Sequence, residues 1–149
     1  EERSAAQAAR APHGGEIEMT PNGIVATGAV LGGLAVAVGA FGAHGLQGRV
    51  PPEMLTIFEV GVRYHMYHAL ALVLLGLFAG RGPSPAPLEV PPGVGPAAWL
   101  FVAGILLFSG SLYALVLTGT RWLGAITPIG GVAFLAGWAM FARAALLRA

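Results

Sequence analysis

The ten residues from Glu59 to His68 (EVGVRYHMYH) hold one carboxylate, one guanidinium, two imidazoles and two phenols, immediately ahead of the apolar run Ala69 to Ala79. An ionisable group within a membrane helix is costly and normally faces the bundle interior or water. The remaining helices are therefore expected to pack around this one. Glu59 and Arg63 are four apart with the acid N-terminal, the better orientation for a helical ion pair. Such a pair either lines an ion or proton path or makes Arg63 tolerable at the membrane boundary. His65 and His68 are three apart, so their rings project from one side of the helix, away from Glu59 and Arg63. Two histidines at that spacing could share a metal or ligate haem, with His44 as a third ligand. The chain has no Cys and no Asp, however, and Glu59 lies on another face. A stable zinc site wants three or four protein ligands. The alternative is that the His and Tyr side chains hydrogen-bond across helices, with Ser109, Ser111 and Tyr113 as partners. No Ser-His-acid arrangement and no Gly-rich phosphate loop is present. The expected buried polar cluster comprises Glu59, Arg63, Tyr64, His65, His68, His44, Ser109 and Tyr113. No catalytic residue, metal or cofactor is expected.

What must position these groups is set by composition. Of 149 residues, 56% are hydrophobic and 10% charged, against about 25% charged in a soluble domain. This is the composition of an integral membrane protein. A net charge of +1 without a basic patch excludes a nucleic-acid footprint.

Four spans follow along the chain. Residues Glu1 to Glu18 form a polar, Ala-rich extension with no apolar stripe of its own, and a partner subunit is the expected occupant of its surface. Thr20-Pro21 reads as an N-cap and first helical position, opening a span over about 23–44. An acidic flank, Glu16 and Glu18, argues against a signal peptide. Small residues recur four apart here, at Gly28/Gly32, Ala29/Gly33 and Ala35/Gly39/Ala43, the spacing that lets helix backbones approach closely in lipid. Pro51-Pro52-Glu53 starts a second span over about 55–79. Its fully apolar part is too short to cross a layer ~30 Å thick, so the polar decapeptide must enter the membrane. Six prolines between Arg81 and Pro96 read as an extended linker. A third span covers about 97–118, followed by a turn with Trp122 at interface depth. Thr127-Pro128 repeats the cap-and-proline opening for a fourth span over about 128–147. Gly130, Gly131, Ala133 and Gly137 give it a smooth side, and Trp99 and Trp138 read as packing or interface anchors.

Four spans put both termini on one side. That side carries Arg3, Arg10, Arg81, Arg143 and Arg148, against Arg49 and Arg121 opposite. The positive-inside rule then places both termini in the cytoplasm, and a bacterial inner membrane is the expected location.

Five stretches occur in order: GAFGAHGL (Gly39 to Leu46), YHMYHALAL (Tyr64 to Leu72), FSGSLY (Phe108 to Tyr113), TPIGG (Thr127 to Gly131) and Gly137-Trp138. Together they resemble the small four-span membrane family known as domain of unknown function 423, which includes transmembrane protein 256. The resemblance extends over about Met19 to Leu147. It implies an all-α, integral membrane four-helix bundle and brings no reaction, ligand or cofactor with it. The expected role is that of a non-enzymatic accessory or structural subunit of a larger membrane assembly. Its partners would be the lipid bilayer and neighbouring subunits, reached through the N-terminal extension and the glycine-rich faces. A proton or small-solute pathway along the Arg/His cluster is the competing expectation.

Overall fold

The computed structural model describes residues 19–81 and 90–148. It is an all-α membrane bundle of four helices, each long and apolar enough to cross a bilayer: α1 (Pro21–Leu46), α2 (Pro52–Ala79), α3 (Val94–Thr118) and α4 (Arg121–Leu146). Residues 1–18 lie outside the described residues, and with them the expected partner contact of the extension.

Local chemistry fixes the ends. The Gly23 N–H donates to the Thr20 side chain at 3.1 Å, and Pro21 occupies the first turn of α1, where its missing N–H leaves nothing unpaired. α2 begins at Pro52, ahead of the expected Leu55, because the proline is itself compatible with the first turn. The linker requires a correction. Its last residues, Val94 to Pro96, are not extended but form the first turn of α3, after Gly93 turns the chain at φ 95°. Proline blocks a helix only beyond the first turn, and Pro96 lies within it. Thr127 also departs from expectation. It is not a cap but the first residue of the α-helical part of α4, and its hydroxyl is turned toward α3.

The glycines set how the helices meet. A Cβ on Gly28 would lie 2.8 Å from the Ala69 carbonyl oxygen, and one on Gly76 would lie 2.8 Å from the Pro21 carbonyl oxygen. α1 and α2 thus meet backbone to backbone at two levels, as small residues permit in lipid. In the α3–α4 contact Gly130 sits directly on the Phe108 backbone, and a Cβ on Gly137 would come within 2.8 Å of the Phe101 ring. The expected packing glycines are thus largely used within the chain, whereas Gly32 and Gly131 stand looser.

Two apolar clusters result. One gathers Ile24, Leu72, Leu75, Val94, Phe101 and Phe134; the other gathers Leu46, Phe58, Leu115 and Val116. Along α2 the clusters are separated by His65 and His68, and along α3 by Ser109 and Ser111. Outside, Val30, Leu34, Leu70, Leu74, Leu106, Leu117, Val132 and Leu135 are exposed on all four helices, the apolar exterior that acyl chains require.

Candidate functional site: a polar layer between two apolar clusters

The polar layer is built where α3 changes its winding. Residues Ile105–Ser109 form a π-helical turn, and the Gly110 N–H bonds back to the Ile105 carbonyl rather than to residue 106. Such turns are rare and frequently accompany functional sites. Ser111 Oγ donates to the Phe108 carbonyl at 2.9 Å, and Thr127 Oγ1 of α4 stands 2.8 Å from Ser111 Oγ. With the Ser111 proton on Phe108, the Thr127 hydroxyl must be the donor of the second bond. A chain of hydroxyls therefore ties α4 to the π turn.

His68 is closed on every side. Its Nδ1 lies 2.8 Å from the Tyr64 carbonyl, and Trp138 Nε1 lies 3.2 Å from its Nε2. A carbonyl only accepts and an indole N–H only donates, so Nδ1 carries the proton and Nε2 the lone pair. The ring is thereby the neutral tautomer. It stacks on Phe134 with centroids 3.4 Å apart and planes 6° from parallel, and Phe101 and Trp138 stand at 5.6 and 6.2 Å. Residues from α2, α3 and α4 meet at this one imidazole.

His65 is different. Its Nδ1 faces the Tyr113 hydroxyl at 3.3 Å, whereas its Nε2 is buried with no hydrogen-bond partner among the described residues. Ser109 Oγ, at the end of the π turn, is likewise buried and lies near the Tyr113 hydroxyl, but forms no hydrogen bond of good geometry among the described residues. The Tyr113 ring is held beside it by Phe58, 4.9 Å away, and by Gly61, where a Cβ would come within 2.8 Å of the ring. His65 can thus offer one ring nitrogen to a further hydrogen-bonding group, and Ser109 one hydroxyl.

The expected eight-residue cluster is narrower than the sequence suggests. His65, His68 and Ser109 are buried and Tyr113 half-buried, but Glu59, Arg63, His44 and Tyr64 are exposed. Tyr64 is tied to the layer through its carbonyl and by its ring, which stacks on Phe108 at 4.6 Å. Glu59 and Arg63 lie on the opposite face of α2, and no ion pair joins them. His44 falls in the π-helical last turn of α1, away from the other two histidines along the bundle. Among the described residues no group of three His, Cys, Asp or Glu converges on a point. Both nitrogens of His68 are moreover occupied, so the shared-metal arrangement is not assembled.

Trp138, Phe134 and Thr127 belong to the layer and were not expected there. Two of them carried a signal: an indole N–H or a threonine hydroxyl at membrane depth must find an acceptor. Phe134 carried none, because stacking depends on ring placement that spacing alone does not reveal.

The family described as "Protein of unknown function (DUF423)" matches residues 38–131, which take in the π turns, both histidines of α2 and Thr127. The chain belongs to the DUF423 family. Its sequence is 50% identical over 119 residues to the UPF0382 membrane protein YwdK of Bacillus subtilis (strain 168), covering 80% of this chain and 92% of that one. It is 49% identical over 113 residues to the UPF0382 membrane protein SAB0533 of Staphylococcus aureus (strain bovine RF122 / ET3-1), covering 76% and 86%. A relative in Staphylococcus haemolyticus (strain JCSC1435) is 45% identical over 113 residues. All three bear membrane-protein names, in accord with the four spans. No solved structure matches. Trp138, which closes His68, lies beyond the DUF423 match, and Phe134 does too.

Proposed function

We propose that the chain is a non-enzymatic structural subunit of a larger membrane assembly, such as an energy-transducing complex of the bacterial cytoplasmic membrane, with both termini in the cytoplasm. The observation that carries this reading is the outward side of α1. The most apolar windows of α1 and α4 are each only 17% buried, against 44% for α2 and α3, and of these two outer helices α1 carries the small residues. Ala26, Ala29, Gly33 and Ala37 form an exposed ridge of small residues along it, and nothing lies within 4 Å of where a Gly33 Cβ would be. Small residues three and four apart, facing out, suit the close approach of another membrane helix. Gly28, by contrast, is already committed to α2. Native membranes solubilised in mild detergent test the reading. The chain is expected to migrate with a larger assembly and to be released by Gly33→Leu. Migration of the wild-type chain alone contradicts the proposal.

One observation favours a second reading, a pathway for protons or a small polar solute. His65 Nε2 is a buried hydrogen-bonding atom without a partner among the described residues, and Ser109 Oγ beside Tyr113 has none of good geometry; such groups cost about 1–3 kcal/mol when left unmet. A flux across proteoliposomes that His65→Ala removes and His68→Ala leaves in proportion to folded protein supports this reading. Equal flux in wild type and His65→Ala rejects it.

A further inference from the structure

A groove between the far end of α1 and the first half of α2 lies apart from the polar layer. It has a volume of ≈ 270 Å³ and is lined by Gly39 and Gly42 of α1 and by Phe58, Glu59, Val62 and Arg63 of α2. Two helices independently place it at a membrane boundary. Counting roughly 20 residues, the length that crosses a ~30 Å hydrocarbon layer, leads back from Ala79 to Glu59 and forward from Pro21 to Phe41. Arg63 then lies one turn, roughly 5 Å, inside that boundary, a depth from which a long side chain reaches the headgroups.

Glu59 and Arg63 are exposed and no ion pair joins them. The same groove therefore presents one negative and one positive group whose Cβ atoms, at i and i+4, are roughly 5–6 Å apart. An anionic ligand alone would leave Glu59 facing like charge. A cationic one would oppose Arg63. The complement is a zwitterion whose two charges are held a few bonds apart, presented at headgroup depth with apolar chains attached.

We infer that this groove binds the headgroup of a phosphatidylethanolamine-type lipid. The phosphate oxygens accept hydrogen bonds from the Arg63 guanidinium, a geometry suited to arginine's planar fork. The primary ammonium donates to the Glu59 carboxylate, which the quaternary ammonium of a choline lipid cannot do because it has no N–H. The groove is smaller than the ~300–1,000 Å³ of sites that enclose a whole drug-sized ligand. It takes the headgroup, while the glycerol and acyl chains lie along the exposed side of α1 and α2. This site is independent of the subunit and pathway readings.

The test is native mass spectrometry of the full chain, released from detergent with equimolar phosphatidylethanolamine, phosphatidylglycerol and phosphatidylcholine of the same acyl chains. The wild type is expected to retain the ethanolamine lipid at least about tenfold over either other lipid, the effect of one charge-assisted hydrogen bond. Glu59→Gln is expected to erase the preference over phosphatidylglycerol, and Arg63→Gln to lower retention of all three. Equal retention of the three lipids by the wild type, or a preference for phosphatidylglycerol, overturns the inference. So does an ethanolamine preference that survives both substitutions. The wild-type competition decides without any variant, and both substituted positions are exposed, so helical content by circular dichroism should match the wild type.

Discussion

His65 and His68 stand one turn apart on α2 and are almost equally buried, at 6% and 5% exposed. One is sealed and the other is open. His68 has a partner for each ring nitrogen and an aromatic face against its own; His65 has a partner for one nitrogen only. Burial therefore says little about what a membrane histidine is for. The count of satisfied hydrogen-bonding atoms says more, because in hydrocarbon no solvent makes up the difference. On this basis His68 is a structural keystone joining three helices. His65, with Ser109, is the place where the bundle interior can still engage another group.

Substitutions can break or sharpen that contrast. Phe134→Ala removes the plane on which His68 rests and leaves a cavity beside Gly104; a loss of about 3–5 kcal/mol is expected from reversible unfolding in detergent. A loss below 1 kcal/mol would mean that the stack supports nothing. His68→Ala should cost about 2–4 kcal/mol in the same measurement, since it deletes the ring and strands the Trp138 N–H. Trp138→Phe keeps most of the packing and removes only the donor to Nε2, so about 1 kcal/mol is expected. Tyr113→Phe should cost nearer 0.6 kcal/mol, the average for a hydrogen bond between membrane helices. His65→Leu is the smallest change expected, within about 0.5 kcal/mol of wild type, because relief of the unmet buried Nε2 offsets the lost contact with the Tyr113 hydroxyl. If His65→Leu destabilised the protein as much as His68→Ala, the two residues would not differ as described.

The fold was readable from the sequence because lipid imposes few solutions. Long apolar runs, prolines in first turns and the polar start of α2 place the helices to within a few residues, except that α4 begins at Arg121, seven residues ahead of the expected start, because the expected turn winds as a 3-10 helix. Thr20 shows how far local chemistry reaches, since its side chain caps α1 as the Thr-Pro pair implies. Thr127, in the same dipeptide, shows where it stops: a nearby Ser111 competed for its hydroxyl and won. Spacing separated His65 and His68 from Glu59 and Arg63, but could not say that the latter pair stays exposed and unbridged. That depends on which side of α2 its neighbours leave bare. The π turn at Ile105–Ser109 was invisible for a related reason. The one-residue shift in hydrogen bonding coincides with the seating of Phe108 on Gly130 and of Phe134 on Gly104, contacts that exist only once α3 and α4 have met.

The contrast between the two histidines is tested most directly by nitrogen-15 magnetic resonance of imidazole-labelled protein in lipid bilayers. His68 is expected to appear as a single neutral tautomer, with the proton on Nδ1, a hydrogen-bonded lone pair on Nε2, and slow exchange with water. His65 is expected to show no such locked pattern, its Nδ1 resonance responding when Tyr113 is changed to Phe. Protonation of His68 at Nε2, or identical behaviour of the two rings, would contradict a sealed His68 beside an open His65.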